Sequence, residues 1–137
     1  MDGKFVINDP YMMTLLQKAN RTLYVNMRDT YFDCPDRERA QWWGDLVLLM
    51  EESFYALDIN AHALSYKAIK ELVDWQKDNG TLYSPIPAGN WDKELPQQML
   101  AAVSLGFKNY YNYTGDLETY KYVFPMVKKY LSLWKVG

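Results

Sequence analysis

Asp33, Glu38 and Asp45 fall within thirteen residues of sequence, in the segment Asp33-Cys34-Pro35-Asp36-Arg37-Glu38-Arg39-Ala40-Gln41-Trp42-Trp43-Gly44-Asp45. Arg37 and two tryptophans lie among them. Carboxylates, a guanidinium and aromatic faces are the groups that hold a sugar ring and protonate its leaving oxygen. Glu38 is the candidate general acid. Such an acid must carry its proton near neutral pH. Partial burial and neighbouring carboxylates, here Asp33 and Asp45, raise a carboxyl pKa toward that range. Arg37 acts in the opposite direction on any carboxylate it pairs with, so its expected partner is Asp33 or a sugar hydroxyl. The same residue types also suit a capping and salt-bridge cluster at a helix start, and residue types alone leave both readings open.

Trp42 and Trp43 are adjacent, so on a helix their side chains diverge by about 100°. One can face a pocket while the other packs. Trp91 sits in a loop among glycine and proline, where core packing explains a tryptophan poorly, so it is expected to wall a ligand. His62, the only histidine, lies between Ala61 and Ala63 on a helix and reads as structural. It has no partners for a zinc site. Cys34, the only cysteine, reads as packing and not as a nucleophile, since no histidine is close in sequence to activate it.

The elements that must position these groups are helices. Asp9-Pro10 is a start signal: a capping carboxylate, then proline at the first helical position. Met12, Leu15, Leu16, Ala19 and Leu23 recur at helical spacing, which predicts a helix over residues 10–27. A loop over 29–38 carries the first carboxylates. A second helix is expected from Arg39 or Trp43 to Ala56. A third, capped by Asp58 or Asn60, is expected to end near Lys77 before Asn79-Gly80. Residues 79–95, with Gly80, Pro85, Pro87 and Gly89, form a long loop of the kind that is usually functional or disordered. A fourth helix runs from Pro96 to Tyr113. Gly115 then closes a tight turn and Asp116 caps a fifth helix reaching Trp134, which Pro125 should kink or split. The expected fold is all-α: antiparallel helical hairpins with alternating long and short connections, and no internal repeat of a named type.

Composition narrows the class. The 137 residues match one domain, 49% hydrophobic and 23% charged. The 12 tyrosines and 5 tryptophans imply either a heavy aromatic core or a carbohydrate groove, with the core as the default. The net charge of -2, without a basic stripe, argues against a nucleic-acid partner. No apolar run approaches the ~18 residues of a membrane span. The N-terminus carries no apolar leader core and reads as an internal cut, so compartment is not legible.

The run Asp33-Cys34-Pro35-Asp36-Arg37-Glu38-Arg39, followed by Trp42-Trp43-Gly44-Asp45, resembles the signature of bacterial α-L-rhamnosidases, whose catalytic domain is a barrel of six helical hairpins. In that family an Asp-Cys-Pro-x-Arg-Glu-Arg run precedes Gly-Trp-Thr-Gly-Asp. Trp91-Asp92 is similar to the family's Trp-x-Asp segment before an inner helix. Tyr113-Thr114-Gly115-Asp116 is similar to the turn after that helix. The resemblance implies that Glu38 protonates the glycosidic oxygen. It implies that Asp33, Arg37 and Asp45 hydrogen-bond the rhamnose hydroxyls, and that Trp42 and Trp91 wall the sugar. It implies no metal and no cofactor.

Two departures stand out. Gln41 occupies the position of a family glycine and Trp43 that of a threonine, and these bulkier residues would be expected to reshape the pocket. The family's inverting mechanism also draws its general base from a later hairpin, and no residue here matches it. Residues 1–137 therefore read as part of a six-hairpin toroid, a piece of a hydrolase of terminal α-L-rhamnosyl linkages that is expected to be inactive alone. The expected partner is a rhamnose-containing glycoside, and the isolated chain is expected to self-associate through open apolar faces. A non-catalytic carbohydrate-binding module and a helical interaction protein are the rival readings.

Overall fold

A computed structural model describes residues 5–87 and 93–134. Among these residues the fold is all-α, with two isolated bridges and no strand. Helix α1 (Pro10–Val25) starts where Asp9 Oδ1 accepts the N–H groups of Tyr11 and Met12 at 2.8 and 3.2 Å. Its apolar stripe is only partly used: Leu23 is buried, while Met12 and Leu15 remain 42% and 49% exposed. Helix α2 (Trp43–Ala56) starts at the later of the two expected positions and is the hub of the fold. It buries Trp43, Leu46, Val47 and Met50 and packs against the helix before it and the two helical rods that follow it.

Asp58 opens a 3₁₀ turn (Ile59–Ala61), accepting the Asn60 N–H at 2.9 Å, and α3 (His62–Asp74) follows directly. Helix α3 stops three residues before the expected Lys77. His62 lies edge-on to Phe54 with ring centroids 5.1 Å apart, the structural role its flanking residues implied.

The expected fourth helix is one rod in three parts: α4 (Pro96–Ala101), a π-helical turn (Ala102–Gly106) and α5 (Phe107–Thr114). The π turn lies against α2. Here Gly106 has no side chain, and a Cβ in its place would come within 3.4 Å of Val47 and 3.5 Å of Trp43. Gly115 ends α5 at φ +67, a conformation glycine adopts without steric cost. Asp116 then caps α6 (Leu117–Leu131) through the Thr119 N–H at 3.0 Å. Pro125 neither splits α6 nor ends it. The missing N–H would have paired with the carbonyl of Lys121, an exposed residue.

The core lies between α2, α3, the α4–α5 rod and α6, with Val123, Met126 and Tyr130 of α6 packing toward α3. Tyr31, fully buried, hydrogen-bonds Ser53 of α2 at 3.2 Å and Ser65 of α3 at 2.9 Å. The loop carrying the carboxylates is thereby pinned between two helices, since a buried hydroxyl requires partners.

Candidate functional site

The carboxylate loop closes on itself. The Asp33 N–H donates to the Ala40 carbonyl at 3.0 Å, and the Ala40 N–H donates back to Asp33 Oδ1 at 3.0 Å. The chain reverses inside this ring at Arg39, a non-glycine residue at φ +49. Such a backbone costs energy and persists only where surrounding contacts enforce it. Arg39 Nε donates to the Pro35 carbonyl at 3.0 Å, one of those contacts.

Glu38 lies among three neighbours from the same loop. Arg37 Nε lies 2.8 Å from Glu38 Oε2, and the Cys34 thiol donates to the same oxygen at 3.5 Å. One oxygen of Asp33, the Cys34 sulfur and one oxygen of Glu38 all lie within 4.8 Å of one another. Cys34 is therefore part of the cluster and not merely packing.

The electrostatics correct two sequence expectations. Arg37 pairs with Glu38 and not with Asp33. Its guanidinium, with smaller help from Asp33 and Cys34, holds the Glu38 carboxyl at about 2. The pairing thus favours an ionised Glu38, the reverse of the proton-loaded state expected for a general acid. Asp45 moves the other way. Desolvation, then the charges of Asp33 and Glu38, raise its carboxyl above the usual aspartate range. Asp45 lies in the first turn of α2, exposed, on the side that feels the loop's charge.

The two tryptophans differ in burial, and Trp42 precedes the helix, so the helical divergence does not apply to the pair. Trp43 is fully buried, edge-on to Phe107 with centroids 5.8 Å apart. Trp42 is half-buried at the cap position of α2, beside the loop. Trp91 lies outside the described residues, so its predicted place in the site has no structural counterpart here.

The two departures from the family run do not enter the site. Trp43 belongs to the core. Gln41 is only 2% exposed. Its Nε2 donates to the Ile86 carbonyl at 2.8 Å and to Glu71 Oε2 at 3.0 Å, and its Oε1 accepts from the Thr30 hydroxyl. The expectation that this pair reshapes a pocket is corrected: both side chains point inward, where a glycine and a threonine would leave space to fill.

Sequence reasoning missed the residues that dock the second loop. Ser84 Oγ accepts the Trp43 N–H at 3.0 Å, and the Ile86 N–H donates to the Gln41 carbonyl at 3.3 Å. These contacts bring the described part of the 79–95 loop against the start of α2, beside the carboxylate loop. The signal was faint: a serine before a proline and an isoleucine between two prolines do not announce a docking role.

Asp33, Arg37, Glu38, Trp42 and Asp45 thus come from one loop and the first turn of the helix after it. Comparison with curated proteins and with solved structures finds no match. The family model described as the bacterial alpha-L-rhamnosidase 6 hairpin glycosidase domain matches residues 1–136. The chain belongs to the bacterial α-L-rhamnosidase six-hairpin glycosidase family.

Proposed function

We propose that this chain carries the sugar-holding and proton-donating part of a glycoside hydrolase that cleaves terminal α-L-rhamnosyl linkages with inversion. The observation that carries the reading is the placement of Glu38 beside Asp33, Cys34 and Arg37 on one pinned loop, with Asp45 next to it at the start of α2. In this reading Glu38 gives its proton to the departing glycosidic oxygen. Arg37, Asp45 and Asp33 hold the ring hydroxyls, and Trp42 covers an apolar face. L-rhamnose suits such walls, since it bears a methyl where other hexoses bear a hydroxymethyl group. Trp91 is proposed as a second wall.

Inverting hydrolysis needs two carboxyl groups about 6.5–9.5 Å apart, with water between them. Asp33 approaches Glu38 within 4.8 Å and is therefore too close to act as the base. No described residue is matched to that role, so the chain by itself is proposed to bind rhamnose without turning it over.

Calorimetric titration of the chain tests this directly. Saturable binding of L-rhamnose, weaker binding of L-mannose with its extra hydroxyl, and loss of both in Arg37→Ala and Asp45→Ala are expected. Absence of binding, or equal heats with any hexose, would overturn the reading.

A further inference from the structure

Glu38 has a 2.8 Å ion pair with Arg37, yet the two partners differ sharply in freedom. The Glu38 side chain is 16% exposed and the Arg37 side chain 83% exposed. Glu38 is fixed by a loop closed at Asp33 and Ala40. Arg37 reaches it from solvent on a long flexible stem. A guanidinium in that position can leave with little disturbance to the fold.

We propose that Arg37 is a displaceable counterion, paired with Glu38 in the empty site and drawn onto the sugar hydroxyls when a rhamnoside binds. This rests on the functional reading above and adds a role for Arg37 in that site: a positioning residue for Glu38's proton as well as a ligand for the sugar.

The consequence follows from what remains beside Glu38. Once the guanidinium moves, the groups facing the carboxylate are Asp33 and the Cys34 thiol on its own loop, together with the charge of Asp45 on α2. None of these is a cation. Asp33 and the Cys34 thiol give the carboxylate only smaller help, while burial, the largest influence left, favours taking up a proton. Glu38 then draws one from water and holds it as the acid the glycosidic oxygen requires. In the empty site the same carboxyl stays ionised. The acid is armed by occupancy.

Carbon-13 NMR of the Glu38 carboxyl in the chain, titrated with pH, reads this directly. Wild type should titrate near 2, as the ion pair dictates. Arg37→Gln should move the midpoint upward by about 2 units, the effect of losing one adjacent opposite charge. Arg37→Lys, which keeps a cation, should restore most of the depression. L-rhamnose at a concentration that saturates wild type should move the wild-type midpoint upward, toward that of Arg37→Gln without sugar. A wild-type midpoint in Arg37→Gln would overturn the proposal whatever rhamnose does. Rhamnose binding seen at the backbone amides of residues 33–45, with an unmoved Glu38, would overturn the proposal and leave the functional reading intact. No binding at all would overturn both.

Discussion

Gln41 and Ile86 grip each other twice: the Gln41 side-chain amide donates to the Ile86 carbonyl at 2.8 Å, and the Ile86 N–H donates to the Gln41 carbonyl at 3.3 Å. This pair ties the loop that carries Glu38 to the second long loop. Glu71, which accepts the same amide at 3.0 Å and pairs with Lys67 at 3.2 Å, extends the tie to α3. Lys67 in turn donates to the Asp29 carbonyl, returning to the start of the carboxylate loop.

Gln41→Ala should therefore destabilise the chain by about 2–3 kcal/mol, because it leaves buried acceptors without donors. Gln41→Glu should cost more at neutral pH, where it sets a second carboxylate against Glu71. It should recover as pH falls and the pair takes up a proton. Urea unfolding at pH 7 and pH 5 measures both effects. A Gln41→Ala variant as stable as wild type would show that the loops hold each other by other means.

Much of the fold was legible because helix ends are chemical signals. Asp9-Pro10 and Gly115-Asp116 carry their caps in neighbouring residues, and the structure uses both. The π turn at Ala102–Gly106 was not legible, since it lies where the rod meets Val47 and Trp43 across the core. Nor was it legible that α6 would run unbroken through Pro125. In the site, residue types identified the cluster but not its pairing. Arg37 pairs with its neighbour Glu38, and nothing in the residue types predicts a positive φ at Arg39, where the loop turns back toward Asp33. Gln41 was misread for a similar reason: an amide suits a pocket wall and a buried brace equally, and its partners lie 11 to 45 residues away.

Glu52 supplies a pH test of opposite sign to an ion pair. It is half-buried on α2, its Oε1 is enclosed without a hydrogen-bond partner, and burial raises its carboxyl pKa. A folded pKa above the unfolded value means that the folded chain binds the proton more tightly. Glu52 therefore costs stability above its folded pKa, and that cost fades as pH falls through it. Glu52→Gln should raise stability at pH 7 by about 1 kcal/mol and change it little near pH 4. Thermal unfolding at the two pH values checks this, and a variant less stable at pH 7 would count against it.

A second copy of the chain is the proposed occupant of the open apolar faces. Phe107, Tyr111, Leu117, Tyr120 and Phe124 line a groove of about 480 Å³ between α5 and α6, with Lys108 on its wall and Lys128 one turn beyond Phe124. Helix α2 presents Leu48 and Tyr55, 67% and 69% exposed, beside the acidic Asp45 and Glu51. An acidic apolar ridge complements a groove with basic residues on it, and joining two different faces makes a head-to-tail contact. Sedimentation should show mass rising with concentration in wild type. Leu48→Lys should remain monomeric at ~100 μM with unchanged helicity, a concentration at which exposed patches of this kind associate. A monomeric wild type at that concentration would end the proposal.

The proton that Glu38 is proposed to give up is tested most directly by leaving-group dependence. In the catalytically complete enzyme, Glu38→Gln should lower kcat by about two to four orders of magnitude on an alkyl α-L-rhamnoside, whose leaving oxygen must be protonated. On 2,4-dinitrophenyl α-L-rhamnoside, whose leaving group departs as a stable anion, the loss should be about tenfold or less. Equal losses on both substrates would contradict the account, because a residue that only holds the sugar slows every leaving group alike.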